Sequence, residues 1–287
     1  MKLNFSIILV FQLAILVNFV TSFSPKLISK TFHARTSLNQ IDPATGMVVS
    51  INSPSFRNYE IPLVTTVFYE LFLRNSATGV SISKLLLNTM RIAPTLATLQ
   101  VLKGAANRQR LDGNTFKLLN LGYSLSFIWT WLKITIIGSG GANIGFKKYL
   151  PEIITFIAST MNLFEYGLPE LRIQINNKSP LALSYLACAI HRFACMIKNA
   201  AITPCSNNLF IAFIFLALHG AANAGQKRLS SYTYKTLNTG IIIGSIYTFI
   251  KSGLLIIPFT RQTMWILTNI VIASCGLYKG STYIMNE

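Results

Sequence analysis

The chain has 287 residues, 52% hydrophobic and 11% charged, and its 25 Lys and Arg against 8 Asp and Glu give a net charge of +17. A soluble domain carries about 25% charged residues and a disordered chain has low hydrophobicity, so both classes are excluded. Because the positive charge is spread between apolar runs rather than gathered on one basic face, no nucleic-acid partner is expected, and the composition predicts an integral membrane protein.

Residues 1–22 have the pattern of a secretory signal peptide. Lys2 supplies the positive start, a mostly apolar run extends from Phe5 to Val20, and Ser22 is a small residue suited to cleavage. The alternative is a first transmembrane helix, but the run is short for a span and no stop-transfer pattern follows it.

Residues 23–41, FSPKLISKTFHARTSLNQI, contain three cations, many hydroxyl groups and no acid. This composition is typical of an organelle transit peptide. A signal peptide followed at once by such a segment beginning with Phe23 resembles the bipartite presequence of algae with complex plastids, of which apicomplexan parasites use a looser version. The resemblance implies a multi-pass protein of a plastid membrane, with residues 42–61 as an N-terminal tail. The alternative is a secretory-pathway membrane protein with a basic tail.

Long apolar runs predict the helices of an all-α, polytopic membrane bundle. Three are long enough to cross a hydrocarbon core of about 30 Å, and five more are shorter or contain a charge. The clearest are 116–138, 235–258 and 263–281, and the others are 62–74, 84–103, 149–166, 181–200 and 209–224. The weaker helices are expected to be tilted, interfacial or buried by neighbours.

An internal repeat organises these eight helices. Arg110–Lys133 overlays Arg228–Lys251 without a gap at a separation of 118 positions, and 10 of the 24 pairs are identical. Upstream, Gly104-Ala105-Ala106-Asn107 recurs as 220–223, and downstream Ile157-Ala158-Ser159 recurs as 272–274. Fixed spacing of this kind indicates duplication. We therefore predict two tandem four-helix repeats, at 62–167 and 181–283.

The distribution of Lys and Arg predicts the orientation. An even number of helices returns each repeat to its starting side, so the two repeats are parallel. The side that holds both termini carries ten Lys and Arg near the helix ends, and the other side carries five. This asymmetry follows the positive-inside rule. It also predicts contacts with anionic lipid headgroups, beside possible membrane-protein partners.

Four residues at matching positions of the repeat are candidates for binding a substrate. Lys133 and Lys251 are either snorkelling cations at a membrane interface or a pseudo-symmetric pair that attracts an anionic substrate. Asn120 and Asn238 each precede a glycine by two positions. Small residues let helices approach and an Asn bonds across the interface, so helix packing is the preferred interpretation of these two.

Two histidines are the candidates for a redox role. If the helical hairpin turns near residue 204, His191 and His219 lie at similar depth and two facing imidazoles could ligate haem iron. Against haem, Lys103 occupies the position of His219 in the first repeat. His191 also shares a helix face with Cys188 and Cys195, but zinc needs a fourth ligand. No metal site is predicted, and the cofactor stays unknown.

No catalytic constellation is present. The sequence contains no phosphate-binding glycine loop, no HExxH and no GxSxG motif. Glu70 and Arg74 have the i, i+4 spacing of a helical ion pair. Arg91, Glu165 and Arg192 are other charges near apolar runs, which are structural if paired and would line a polar cavity if unpaired.

The segment GQKRL, followed by LNTG, includes Gly225, Arg228 and Asn238 around the junction of two helices. It resembles a family of uncharacterised multi-helix membrane proteins of cyanobacteria and plastids, although the His expected near Tyr234 is missing. Three functions follow from these observations. The first is a carrier or channel for a small anionic metabolite, the second is a non-catalytic assembly or scaffold protein, and the third is a haem-binding redox protein.

Overall fold

A computed structural model of the protein describes residues 39–41, 48–50, 58–70, 82–137, 149–171, 179–198, 206–223, 231–251 and 261–282. The chain divides into two compact units, Met1–Ser53 and Pro54–Glu287. Within the first unit, β1 (Asn39–Ile41) pairs with β2 (Val48–Ser50) as antiparallel strands, with Gln40 opposite Val49. The predicted signal peptide and residues 23–38 of the predicted transit segment lie outside the described residues.

The second unit is helical, and its described residues form eight helices, as the apolar runs predict. Their bounds lie within a few residues of those runs at most ends. The helices are α1 (Glu60–Phe68), α2 (Ile82–Asn107), α3 (Asn114–Ile137), α4 (Leu150–Tyr166), α5 (Pro180–Lys198), α6 (Ser206–Asn223), α7 (Ser231–Lys251) and α8 (Arg261–Thr282).

The helices form a slab that is two helices thick and four helices long. One row contains α1, α2, α7 and α8, and the other contains α4, α3, α6 and α5, in that order. Across the slab, α1 packs on α4, α2 on α3, α7 on α6 and α8 on α5. Every helix pair within residues 60–166 therefore has a counterpart within 180–282, and α2–α7 is the counterpart of α6–α3. This is the arrangement expected of a twofold repetition.

Packed neighbours run antiparallel. Glu60 of α1 pairs with Lys103 of α2, whereas Glu70, just beyond α1, pairs with Arg91. In the second half, Ala182 lies beside His219 and Arg192 lies beside Asn208. Hence α1 begins and α8 ends at the same end of the slab, which we call the terminal end, and the other is the opposite end.

Two close helix contacts between the halves correspond to each other. A Cβ built on Gly122 of α3 would lie 2.6 Å from Cβ of Phe213 in α6. One built on Gly240 of α7 would lie 2.5 Å from Cβ of Ala97 in α2. The glycines are 118 positions apart and their partners 116 apart, which are the two separations found in the sequence. The expectation that these glycines let helices approach is confirmed.

The fourth helix of each half matches at a separation of 114 positions. At this separation the exposed Leu150, Ile157 and Phe164 correspond to the exposed Met264, Val271 and Tyr278, and the buried Asn162 corresponds to the buried Gly276. The sequence match of 157–159 with 272–274 is one residue away from this register, because it pairs the fully buried Ser159 with the exposed Ser274.

Hydropathy distinguishes one helix from the others. Among the described residues, Pro180–Ile197 of α5 is the segment long and apolar enough to cross a membrane, and Asn208–Ala222 of α6 is a shorter apolar helix. The longest apolar runs of the sequence, in α3, α7 and α8, contain buried polar side chains such as Asn120, Asn238 and Thr263. Polar side chains lower the mean hydropathy of a segment.

Candidate functional site

A buried polar cluster lies in the first half, near the terminal end. The Tyr59 hydroxyl donates to Oδ1 of Asn120 in α3 and accepts a bond of 2.9 Å from Nδ2 of Asn162 in α4. All three side chains are at most 2% exposed. We call these three residues the first polar cluster.

The backbone at Tyr59 turns the side chain inward. Tyr59 has a left-handed conformation (φ 62°) just before α1, and its carbonyl accepts a bond from the Leu63 amide. Burial raises the pKa of the Tyr59 hydroxyl above its ordinary value, because the charged form is disfavoured away from water. The hydroxyl therefore stays protonated and acts as a donor to Asn120.

The second polar cluster occupies the corresponding place in the second half. The Tyr185 hydroxyl of α5 donates to Oδ1 of Asn238 at 2.8 Å and accepts a bond of 3.1 Å from the Tyr234 hydroxyl. Asn238 also donates through Nδ2 to its own helix, at the Tyr234 carbonyl. Tyr185 and Asn238 are fully buried, and Tyr234 is 7% exposed.

The two clusters share one hydrogen bond and differ in another. In both, a tyrosine associated with the first helix of the half donates to the recurring asparagine of the third helix. The donor to that tyrosine is Asn162 in one half and Tyr234 in the other. Correspondingly, Phe116 occupies the position of Tyr234, and Gly276 occupies the position of Asn162.

These contacts define what Asn120 and Asn238 do. The amide oxygen of each accepts a hydrogen bond from a buried tyrosine, which joins two helices of the same half. Since a buried amide without partners costs about 1–3 kcal/mol, each bond stabilises the packing that surrounds it. This agrees with the helix-packing interpretation.

The structure does not bring the predicted lysines to these asparagines. Lys251 is an exposed residue in the last turn of α7. It lies 13 residues, or about 20 Å along the helix axis, from Asn238. The backbone of Lys133 lies near the corresponding end of α3, and its side chain lies outside the described part of the structure.

The two histidines lie at different depths, contrary to the sequence-based expectation. His219 is 2% exposed and its Nδ1 lies 2.8 Å from the Ala182 carbonyl of α5. His191 is nine residues further along α5, which is about 13 Å. Iron coordinated by two imidazoles holds both rings within a few ångströms, so this register does not fit a haem ligated by both. The hairpin estimate was wrong because the contacts of Ala182 with His219 and of Arg192 with Asn208 centre the hairpin near residue 200 rather than 204.

His191 has different neighbours. Its ring stacks on Trp265 of α8, with centroids 3.7 Å apart and an interplanar angle of 14°, and its Nε2 lies 3.4 Å from Sγ of Cys195. Cys188 is fully buried on the same helix. Among the described residues, no three His, Cys, Asp or Glu side chains lie close enough to hold a metal ion.

An ion pair joins α1 and α2 towards the opposite end. Glu70, which is buried, accepts a hydrogen bond from Nη2 of Arg91. Arg91 is thus a partner of Glu70 on the next helix. The i, i+4 pairing of Glu70 with Arg74 predicted from the sequence stays a prediction, because Arg74 lies outside the described residues. Near the terminal end, Lys103 and Glu60 are 3.5 Å apart and much more exposed.

The two ion pairs are expected to differ in their contribution to stability. Glu70→Gln should lower the free energy of unfolding by about 2 kcal/mol, because it leaves the partly buried Arg91 without a counter-charge. Glu60→Gln, the matched control on the same helix, should change it by less than about 1 kcal/mol. Thermal unfolding of both variants in detergent measures the difference, and equal effects would contradict this assignment.

Several buried polar atoms of the described residues make no hydrogen bond, and those of Arg91, Arg192 and Asn269 belong to the most polar side chains among them. The Arg192 guanidinium donates through Nη1 to Oδ1 of Asn208 at 3.0 Å, while its Nε bonds nothing. Nε of Arg91 likewise makes no hydrogen bond. Asn269 is 1% exposed, and neither atom of its side-chain amide makes a hydrogen bond. Arg192 therefore joins α5 to α6 through the neutral amide of Asn208, whereas Arg91 of α2 bonds the charged carboxylate of Glu70.

Comparisons with models of protein families, with curated proteins and with solved structures find no match to this chain. The chemistry available to the molecule therefore has to be inferred from its own residues.

Sequence reasoning missed the partners of the two asparagines. Tyr59 falls in the segment assigned to the N-terminal tail, and nothing in the apolar pattern marks it as interior. Tyr185 is one of several aromatic residues in an apolar run. The one available signal was the repeat itself, since an asparagine that recurs within an apolar helix needs a buried partner in each half.

Proposed function

We propose that the protein is a polytopic membrane protein that acts as a non-catalytic assembly or scaffold component. The observation that carries the proposal is the distribution of polarity. The interior of the slab holds hydrogen-bonded polar side chains, whereas large apolar side chains project from its outer surface.

The outer surface supports placement in lipid. Among the described side chains, large hydrophobic residues are exposed on every helix except α6. They include Val64, Leu86, Trp131, Ile157, Ile190, Ile250 and Val271. Extended apolar surface marks sites that contact membranes or other proteins, and apolar side chains on the outside with Asn, Ser and Thr inside suit a helix bundle in a bilayer.

The charges support the predicted orientation. With antiparallel neighbours, the α2–α3 turn lies at the terminal end, where Arg108 and Arg110 are exposed. Lys117 and Lys235, at equivalent positions of α3 and α7, lie at the same end. Lys and Arg concentrated on one side set the orientation of a membrane protein, so the proposal places both termini on the side from which the protein is inserted.

The twofold arrangement supports an origin by tandem duplication of a four-helix unit. The halves share matched helix contacts, a matched pair of glycine contacts and a matched Tyr–Asn hydrogen bond. The contact surface between them consists of the second and third helices of each half. We propose that this central four-helix core holds the slab together. The outer helices α1, α4, α5 and α8 then contact lipid and partner proteins.

The scaffold is preferred to the carrier because the two candidate asparagines already have structural roles and the described candidate lysine does not lie beside them. Asn120 and Asn238 are occupied by tyrosine hydroxyls, and Lys251 lies exposed at the end of α7. The plastid membrane remains the proposed location, supported by the composition of residues 1–41. A fluorescent protein fused after residue 41 should reach the plastid, and retention in the secretory pathway would contradict that location.

Membrane insertion is tested by labelling Cys275, which is exposed on α8. In a variant that keeps Cys275 as its only cysteine, a charged maleimide should fail to react in intact membranes and should react fully after denaturation. Asp112→Cys in the same background without Cys275 is the control, because residue 112 is exposed in the α2–α3 turn. Rapid labelling of Cys275 by the charged reagent would overturn the membrane assignment.

The scaffold and carrier functions are separated in proteoliposomes. Liposomes that contain the purified protein should release trapped small anions no faster than protein-free liposomes do. Anion flux that is abolished in Lys133→Gln/Lys251→Gln would establish the carrier instead.

A further inference from the structure

Two outer helices present matching apolar stripes. On α4, Leu150, Ile157 and Phe164 are between 39% and 48% exposed, and on α8, Met264, Val271 and Tyr278 are between 52% and 74% exposed. Within each stripe the residues are seven positions apart, or about 10.5 Å along the axis. Each stripe lies on the side of its helix facing away from the buried residues, such as Asn162 in α4 and Ala273 in α8.

The two stripes lie at the same depth in the slab. Asn162 of α4 contacts Tyr59 in the first polar cluster, and Gly276 of α8 adjoins Tyr185 and Asn238 in the second. The clusters themselves occupy corresponding levels, since Asn120 and Asn238 are equivalent positions of α3 and α7. The helices α4 and α8 also run in the same direction, and they occupy diagonally opposite corners of the slab.

The stripes differ in charge at one end. Beside Phe164, the exposed Glu165 lies in the last turn of α4, and beside Tyr278, the exposed Lys279 lies in the last turn of α8. These residues are also 114 positions apart, so they occupy equivalent places with opposite charge. Two copies of the chain in one membrane share orientation and depth, which would bring α4 of one copy and α8 of another into parallel register.

We propose that α4 of one copy packs against α8 of a second copy, with the three apolar levels in register and Glu165 of one copy paired with Lys279 of the other. Apolar residues at a heptad spacing suit parallel helix packing at a small crossing angle. This inference rests on the proposed membrane function, because the bilayer is what aligns the two copies.

Charge decides between this contact and the symmetric ones. A contact between two α4 helices would bring two Glu165 carboxylates together, and one between two α8 helices would bring two Lys279 ammonium groups together. Juxtaposed like charges disfavour an interface, whereas opposite charges fix its register. The α4–α8 contact joins different surfaces of the two copies, so each copy can bind a further one on either side. Repetition of the contact gives a row of copies, or a ring where the rotation between copies closes, in the membrane plane.

Disulfide cross-linking tests the geometry. In a background with Ser at positions 195, 205 and 275, one tagged copy carries Ile157→Cys and a differently tagged copy carries Val271→Cys. Oxidation of membranes that contain both should give the mixed dimer at a yield about tenfold above either self-dimer. A single chain that carries both substitutions should give a ladder of higher oligomers.

Charge reversal tests the ion pair in the same assay. Glu165→Lys or Lys279→Glu alone should lower the mixed-dimer yield about five- to tenfold, and placing the two reversals on the facing helices should restore it. Asp112→Lys, a reversal of another exposed carboxylate at the terminal end, is the matched control and should leave the yield unchanged.

Three results would overturn the proposal. They are self-dimers as abundant as mixed dimers, no cross-link at all because lipid alone covers both helices, and reversals that have no effect. Each result is measured on protein whose membrane insertion has been established by Cys275 labelling in a separate preparation. Failure of the α4–α8 contact is therefore distinguishable from failure of the membrane assignment.

Discussion

Gly276→Ala is expected to lower the free energy of unfolding by about 3 kcal/mol, because its added methyl group meets the shortest contact of any described glycine. The added Cβ would overlap the Tyr185 hydroxyl and lie 2.8 Å from Oδ1 of Asn238. Relief of the overlap has to move a fully buried tyrosine. The change therefore combines overpacking with the loss of a buried hydrogen bond. The melting temperature in detergent should fall by about 6–12 °C.

Gly220→Ala is the matched control for this substitution. Gly220 lies within α6, and a Cβ built there meets no atom within 4 Å. Alanine favours a helix by up to about 1 kcal/mol over glycine, so the control should be neutral or slightly stabilised. In Gly276→Ala/Tyr185→Phe, the hydroxyl that the new methyl group meets is absent. The double variant should therefore lose less stability than the two single variants lose in total. A strictly additive pair would contradict the overlap.

Asn238→Leu and Asn120→Leu are each expected to lower the free energy of unfolding by about 2–3 kcal/mol. Leucine has the branched shape of asparagine but is larger and offers no acceptor, so Tyr185 or Tyr59 is left with a buried, unbonded donor. Because the two clusters share this bond, the two losses should be similar. Thr239→Leu, at the exposed position next to Asn238, should change stability by less than about 0.5 kcal/mol.

A double-mutant cycle shows whether the hydrogen bond from Tyr185 accounts for the stability lost in Asn238→Leu. Combining Asn238→Leu with Tyr185→Phe removes both partners, and the coupling energy from thermal or denaturant unfolding should be about 1–2 kcal/mol. If Asn238 instead serves a transported substrate, Asn238→Leu would leave stability unchanged and reduce anion flux in proteoliposomes. That outcome would replace the structural role by a functional one.

The sequence predicts the helices well and their partners poorly. The apolar runs give all eight helices because each helix buries a continuous stretch of side chains, and the Asn–Gly pairs at 120–122 and 238–240 correctly mark close packing. Contacts between distant segments do not follow from these patterns. The pairing of Glu70 with Arg91, for example, arises from the antiparallel packing of α1 and α2 and has no signature in the local spacing of charges.

The histidines and the fourth helix show why depth is difficult to infer. Counting residues from a hairpin centre at 204 places His191 and His219 level, but the contacts between α5 and α6 centre the hairpin near residue 200 and separate the two histidines by nine residues of α5. Likewise, the identical Ile-Ala-Ser segments align Ser159 with Ser274, whereas the pattern of buried residues aligns the two helices one residue away from that register. Sequence identity reports shared composition, and packing decides the register.

The different donors in the two polar clusters have a consequence for exchanging parts between the halves. Grafting α4 into the place of α8 would bring an asparagine amide to a tyrosine that already accepts a bond from Tyr234, with no room for it where Gly276 now lies. The reverse graft would leave Tyr59 beside a glycine and the hydroxyl-free Phe116. A chimera is therefore expected to fold only when the third and fourth helices are transplanted together, so the two halves are not interchangeable one helix at a time.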